Sequence, residues 1–345
     1  MKKIEPLNLT ISSSPHAHSS NSTAVIMRDV CIALVPALIA AIVLFGWRVL
    51  TLTAFSVVGC VFFEWGYRRM MKKDCTVGDW SAVVTGVLIA FVCPANVPYW
   101  MILIGDFFAI VVVKQLFGGI GMNIVNPALA ARALMMFSWT SAMTSGAYHE
   151  VKLLDAVSSA TPMEALAAGS LPNCSVLELF LGRCGGSLGE VSAAALLVGG
   201  AYLLIRKVIS WRIPTAYLAS VAVLTMLFPR GGNDFFDWML CQLLSGGLLL
   251  GAIFMATDYT TSPVTHFGQL AYGVGCGVLT VLFRYFGAMP EGVTFAILIM
   301  NCCVGFFDKM GIPARFGAIK QKKQKKQKKQ KKQKKQKKQR GGETE

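Results

Sequence analysis

Ser158-Ser159-Ala160-Thr161 is the stretch of this chain best placed to do chemistry. It lies in residues 140–188, the longest polar connection between long apolar runs. Two readings of Thr161 are open. Thr161-Pro162-Met163-Glu164 has the form of a helix start, with threonine as N-cap, proline at the first helical position and glutamate closing a capping box. The same hydroxyl can carry a phosphate ester. An anion there would meet the unsatisfied N–H groups and the dipole of a helix start, with Ser158 and Ser159 as further donors. A prosthetic group held in this way would turn an apparent channel or carrier into a redox protein.

Two further constellations lie at the ends of apolar runs. Gly118-Gly119-Ile120-Gly121-Met122-Asn123-Ile124-Val125-Asn126-Pro127-Ala128-Leu129-Ala130-Ala131-Arg132 combines a loosened backbone with two amides and one charge. Asn123 and Asn126 offer donors and acceptors, and Arg132 is an ionisable group inside an apolar segment, which marks a functional candidate. The bland alternative is a tight packing turn with Arg132 reaching to the surface. Met255-Ala256-Thr257-Asp258-Tyr259-Thr260-Thr261-Ser262-Pro263 sets a carboxylate beside hydroxyls, able to hold a hard cation or a ligand ring, or to cap a helix end. His16 and His18 have no third ligand nearby, and Glu64 and Arg284 read as anchors near span ends. The chain shows no nucleotide-binding glycine loop, no Cys-x-x-Cys and no hydrolytic triad, so no metal site is expected.

Composition says what must position these groups. Of 345 residues 54% are hydrophobic and 15% charged, and the mean hydropathy is positive, so the chain is an integral membrane protein. The net charge of +15 is largely a Lys-Lys-Gln tail over residues 320–340, and the rest of the chain is close to neutral. Such a tail is a solvated, disordered segment, or one that binds anionic lipid or an acidic partner; nucleic acid is not an expected partner. Residues 1–23 have no apolar core, so the first span should serve as insertion signal. Cys174 and Cys184 share one loop and could pair in an oxidising compartment.

Ten apolar runs of span length are expected near 28–46, 49–67, 80–95, 98–117, 123–139, 189–206, 213–229, 236–256, 268–286 and 291–308. The third and fifth are short enough to be broken or tilted. The predicted organisation is a cytoplasmic segment 1–27, a five-helix half 28–139, the loop 140–188, a second half 189–308 and a basic cytoplasmic tail 309–345. Basic residues favour both termini inside, with the Thr161 loop outside. Trp47-Arg48 matches Trp211-Arg212, Thr85-Gly86 matches Ser245-Gly246, and Phe117-Gly118 matches Phe286-Gly287 in the same order. Five spans per half make these inverted repeats, so the expected fold is an all-α polytopic membrane protein of ten helices in two inverted five-helix repeats.

Residues 118–134, Phe-Met-Ala-Thr-Asp at 254–258 and Ser158-Ser159-Ala160-Thr161 together resemble the D-type subunit of the Rnf complex, the homologue of the B-type subunit of the sodium-translocating NADH:quinone reductase. The resemblance covers about residues 12–317; Ser159 stands where many relatives have glycine. It implies FMN bound covalently through the phosphate to Thr161, a further non-covalent riboflavin in some members, and partner subunits in a bacterial inner-membrane complex. That complex links electron flow between ferredoxin and NAD to Na⁺ or H⁺ transport. Ser158, Ser159 and Arg132 become candidates near the cofactor, and Asp258, Asn123 and Asn126 candidates for ion or ligand. The alternatives are the quinone-reductase subunit, whose N-terminal region is longer than the 27 residues here, and a cofactor-free, urea-channel-like carrier.

Overall fold

A serine begins the first helix. The computed structural model describes residues 22–144, 162–172, 174–182, 192–232, 234–287 and 292–311. Ser22 Oγ accepts from the N–H of Val25 and starts α1 (Thr23–Phe45). Gly46, at φ +84°, ends that helix and lets α2 (Trp47–Met70) begin at once. Then follow α3 (Ser81–Val92), α4 (Tyr99–Phe107, continuing as a π-helical segment Phe108–Gln115), α5 (Pro127–Ser138) and α6 (Thr140–Thr144). The second part holds α7 (Pro162–Ala167), α8 (Val176–Leu181), α9 (Ala193–Ile205), α10 (Arg212–Leu227) and α11 (Phe235–Leu244). It closes with α12 (Leu248–Leu250, continuing as a π-helical segment Gly251–Met255), α13 (His266–Phe286), α14 (Val293–Cys302) and α15 (Val304–Gly311). No strand occurs among the described residues.

Three helices, α1, α2 and α13, are long and apolar enough to cross a membrane alone, and five spans result if each of two bent pairs counts as one. Their outward residues are large and apolar, among them Ile39, Val43, Phe62 and Leu282, as a lipid-facing surface requires. The chain is therefore a multi-pass membrane protein. The expected eighth span is broken: α11 and the α12 segment meet at 62° across Ser245-Gly246-Gly247. The expected tenth divides into α14 and α15 at 57°.

The internal matches hold unevenly. Trp47-Arg48 and Trp211-Arg212 both stand at helix starts. Thr85-Gly86 lies inside the continuous α3, whereas Ser245-Gly246 forms a break. What recurs in the structure is a different series: a π-helical segment, an irregular stretch and a side-chain-capped helix, once over residues 108–127 and once over 251–266.

Small residues bring the helices together. On α13, a Cβ at Gly273 would sit 2.9 Å from the carbonyl of Ile213, and one at Gly277 would meet Ser220 on α10. This is the close-approach pattern of membrane helices. The Tyr217 and Thr280 hydroxyls meet at 2.6 Å across the same contact. Between α2 and α3, a Cβ at Gly86 would lie 2.7 Å from the Val57 Cα, a backbone atom with no freedom to retreat. Gly66, on the same α2, has nothing within 4 Å. We expect Gly86→Val to destabilise the protein by roughly 1–3 kcal/mol through overpacking. We expect Gly66→Ala to leave it unchanged or raise its stability by about 0.5–1 kcal/mol. Melting of the detergent-solubilised variants checks both signs.

Candidate functional site

The two irregular stretches meet at a junction. Asn126 caps α5, its Oδ1 accepting from Ala128 N at 3.0 Å and Leu129 N at 3.4 Å. Its Nδ2 donates to the Met255 carbonyl at 3.3 Å, at the end of the second π-helical segment. Asn301 on α14 completes the tie in the amide orientation that satisfies all its neighbours. Its nitrogen then donates to Thr261 O at 3.0 Å and to Tyr272 OH at 2.7 Å, and its oxygen accepts from Asn126 N at 3.1 Å. Asn126 thus spends its side chain on structure. Asn123 donates to Val125 O at 3.2 Å and shapes its own turn.

Asp258 sits in the partner stretch. Its Oδ2 accepts from Thr260 Oγ1 at 2.9 Å and Thr261 Oγ1 at 3.2 Å, so the carboxylate folds its own loop. With Thr257 and Tyr259 it borders a small, mainly apolar cavity closed by Val30, Leu88 and Leu203. Tyr259 donates to the Val208 carbonyl and ties this loop to the end of α9. Arg132 is buried on α5 and makes no ion pair with Asp258. The structure thus brings Asn126 and the Asp258 loop together, while Asn123 bonds within its own turn and Arg132 forms no ion pair with that carboxylate.

Thr161, Ser158 and Ser159 lie outside the described residues, as does Cys184, so the Cys174–Cys184 pairing does too. The chain is described again from Pro162. On α7, Met163 and Leu166 are buried against Leu179, Trp238 and Cys241. A Cβ at Gly246, where φ is +73°, would lie 2.5 Å from Met163 Sδ and 2.9 Å from Arg284 Nη2. Arg284, read from the sequence as a lone anchor near a span end, is buried and well bonded. Its Nη1 donates to Gln242 O at 2.5 Å and Gln242 Oε1 at 2.9 Å, and its Nη2 to Ser245 O at 2.8 Å. The break between α11 and α12 bares carbonyls that a five-donor guanidinium can serve together. Beside it, Arg230 stacks 4.4 Å over the Tyr285 ring and donates to Tyr285 O at 2.6 Å. Trp238 Nε1 donates to Tyr285 OH at 2.8 Å. α7 therefore rests on a platform of arginine and aromatic side chains.

A third cluster has only a faint sequence signal. Glu64, expected as a lone anchor, is 0% exposed and pairs with Lys114, Nζ to Oε2 at 2.7 Å. Lys114 Nζ also donates to Ser81 Oγ at 2.6 Å, and Thr76 Oγ1 donates to Glu64 Oε1 at 2.8 Å. Asp106 on α4 is likewise 0% exposed, with Ser56 Oγ at 2.7 Å and Cys60 Sγ at 3.4 Å from its Oδ1. The signal that could have found this cluster is two charges, Asp106 and Lys114, within one apolar run. Among the described residues no three His, Cys, Asp or Glu converge on a metal-sized site.

Comparison with known proteins places this arrangement. The family model described as the NQR2, RnfD, RnfE family matches residues 10–317. The chain belongs to the NQR2, RnfD, RnfE family. Its similar relatives include the D-type subunit of the Na⁺-translocating ferredoxin:NAD⁺ oxidoreductase complex of Acetobacterium woodii, 48% identical over 92% of this chain and 98% of that one. The D-type subunit of the proton-translocating ferredoxin:NAD⁺ oxidoreductase complex of Clostridium ljungdahlii is 38% identical over 89% of this chain and 96% of its own. The D-type subunit of the ion-translocating oxidoreductase complex of Aliivibrio salmonicida is 32% identical over 89% and 98%.

The family match runs through every helix from α1 to α15, so the junction, the platform and the buried ionic cluster all belong to the NQR2, RnfD, RnfE unit. The Lys-Lys-Gln tail lies beyond it. The Glu64–Lys114 pair makes a direct prediction. Lys114→Met leaves a buried carboxylate unpaired and should cost about 3–5 kcal/mol. Adding Glu64→Gln removes the stranded charge and should recover most of that loss. Thermal unfolding of the two variants in detergent measures the difference; equal losses would show that the pair is not what sets stability here.

Proposed function

We propose that this chain is the D-type membrane subunit of an Rnf-type complex. In this reading FMN is bound through a phosphoester to Thr161, and electrons pass between ferredoxin and NAD in step with Na⁺ or H⁺ transport. The observation that carries it is the match to D-type relatives, 48% identical over nearly the whole of both chains, in a chain that offers the threonine of Ser158-Ser159-Ala160-Thr161 just before α7. The names of two relatives differ in the ion, sodium in one and proton in the other.

The residues present fit such a group. Threonine supplies the hydroxyl for the ester. α7, which begins at the next residue, is fixed by Met163 and Leu166, so the attachment point is tethered to a rigid element. Arg230 and Arg284 put positive charge in the platform under α7 while donating to the Tyr285 and Ser245 carbonyls, so what they offer an anionic phosphate is a favourable field. A bound flavin supplies one- and two-electron transfer. The protein's part is to hold the tether, to keep the platform aromatic and cationic, and to limit water beneath it.

On this reading ten spans form two inverted halves with both termini in the cytoplasm. The membrane is the bacterial cytoplasmic membrane, and the loop with Thr161 lies on its outer side. The exposed apolar faces meet lipid and the other subunits, and a non-covalent riboflavin is a second flavin of the same complex. Ser158 and Ser159 serve as donors near the phosphate, with Arg132 and Asp258 near cofactor or ion.

The test is a pair of variants in the assembled complex. Thr161→Ala should insert and assemble yet lose ferredoxin-dependent NAD reduction and the ion transport that accompanies it. Thr161→Ser, which keeps a hydroxyl, should retain part of both. Full activity in Thr161→Ala would make the threonine a helix cap and favour a subunit without covalent flavin.

A further inference from the structure

Asp106 is a buried acid with no counterion. The ion pairs formed among the described residues are Lys114–Glu64 and Arg206–Asp29, and neither includes it. Its Oδ2 has no hydrogen-bond partner and faces Gly59, where a Cβ would lie 2.8 Å away. The elements packed on α4 bring little charge to it. α2 offers Cys60 and Glu64, α3 ends at the buried thiol of Cys93, which lies within electrostatic reach of Asp106, and α5 offers Arg132, which forms no ion pair with Asp106. Lys114, further along the same helix, is engaged by Glu64.

Hydrogen-bond arithmetic points to one more proton. Ser56 Oγ lies 2.7 Å from Asp106 Oδ1 and 3.0 Å from Gly86 O. One hydroxyl proton cannot fully serve two acceptors. If Oδ1 carries a proton, every contact falls into a single chain. Cys60 S–H donates to Oδ1, Oδ1–H donates to Ser56 Oγ, and Ser56 O–H donates to Gly86 O. Oδ2 is then the carbonyl oxygen of a neutral acid, which is far less costly to leave unpaired in a membrane interior than half of a carboxylate. Oxygen ligands for a metal cation are too few here, since a thiol and glycine surround the remaining sides.

The acid stands at the inner end of a polar ridge. Ser56, Cys60, Glu64 and Arg68 recur at four-residue spacing along α2, so they stack about 6 Å apart on one helix face. Glu64 leads to Thr76, which is half-exposed on the connection that also carries the exposed Lys72 and Lys73. We propose that Asp106 is a proton-binding site of this subunit, filled and emptied along the Cys60–Glu64 ridge of α2. In release, the Cys60 S–H turns from Asp106 Oδ1 toward Glu64 and passes its proton to that carboxylate, while the Asp106 proton turns from Ser56 Oγ to the Cys60 sulfur. Cys60 ends uncharged, Asp106 becomes a carboxylate, and no electron moves. Its use in ion transport rests on the function proposed above; its existence as an acid does not.

Infrared difference spectra of the purified subunit, native minus Asp106→Asn, test the site at neutral pH. We expect a protonated-carboxyl C=O band that is absent from the variant and shifts in D₂O. Ser56→Ala should keep the band and raise its frequency, because the hydrogen-bond partner is lost. Cys60→Ala should slow the D₂O shift by about tenfold or more, as loss of a positioned proton carrier does. A native protein without the band, or a D₂O shift as fast in Cys60→Ala as in the native chain, overturns the proposal. In vesicles holding the whole complex, Asp106→Asn should cut the ions moved per NAD reduced by about tenfold; unchanged transport overturns the role. If native vesicles show no redox-linked transport at all, the function proposed above fails, and the infrared band still decides whether Asp106 holds a proton.

Discussion

Every backbone N–H and C=O inside a bilayer must find a partner within the protein, and each helix break in this chain sets such groups free. The breaks survive because side chains from distant segments serve them. Arg48 donates to Ala95 O at 2.8 Å and holds the turn after α3. Asn126 reaches the Met255 carbonyl, Asn301 reaches the Thr261 carbonyl, and Arg284 clamps the Ser245 break. Remove these ties and the irregular stretches would have to become helix or leave the membrane. The junction and the platform are therefore the structural condition for any site at membrane depth.

Charge follows the same rule. Glu64 is buried with Lys114, and Asp29 is met by Arg206 at 3.1 Å with Tyr202 beside it. Each pair joins separate elements, α2 to the π-helical end of α4 and α1 to the end of α9. Asp106 departs from this economy, since its neighbours are a hydroxyl and a thiol. An ionisable group kept inside a membrane without a partner is costly, and such groups mark pathways for ions and protons. π-helical turns, common at functional sites, flank both irregular stretches at the junction.

Much of this is legible in the residues, and what is not has physical causes. The apolar runs yield α1, α2 and α13 nearly whole, because span length is a local property. Asn126-Pro127 announces the start of α5, because capping is local too. The 62° break is harder to foresee. Ser245-Gly246-Gly247 permits a bend, but the bend is held by Arg284, thirty-eight to forty-two positions away. Glu64 looks like a surface anchor beside Arg68 and Arg69, since Lys114, its partner, lies fifty residues on. The matches between halves follow dipeptides, whereas the structure repeats a sequence of shapes, π-helix then loop then capped helix, that dipeptides do not encode. The residues single out Thr161 but leave it two roles, and the family resemblance favours the ester, because a helix cap and a phosphoester site use the same local residues.

Whether this chain carries a covalent flavin is decided by peptide mass mapping of the protein purified from cells that make flavinylated proteins. The peptide spanning residues 158–167 should carry the mass of FMN less water, localised by fragmentation to Thr161. The same peptide at its unmodified mass, with the chain otherwise intact and assembled with its partner subunits, would contradict the proposed function.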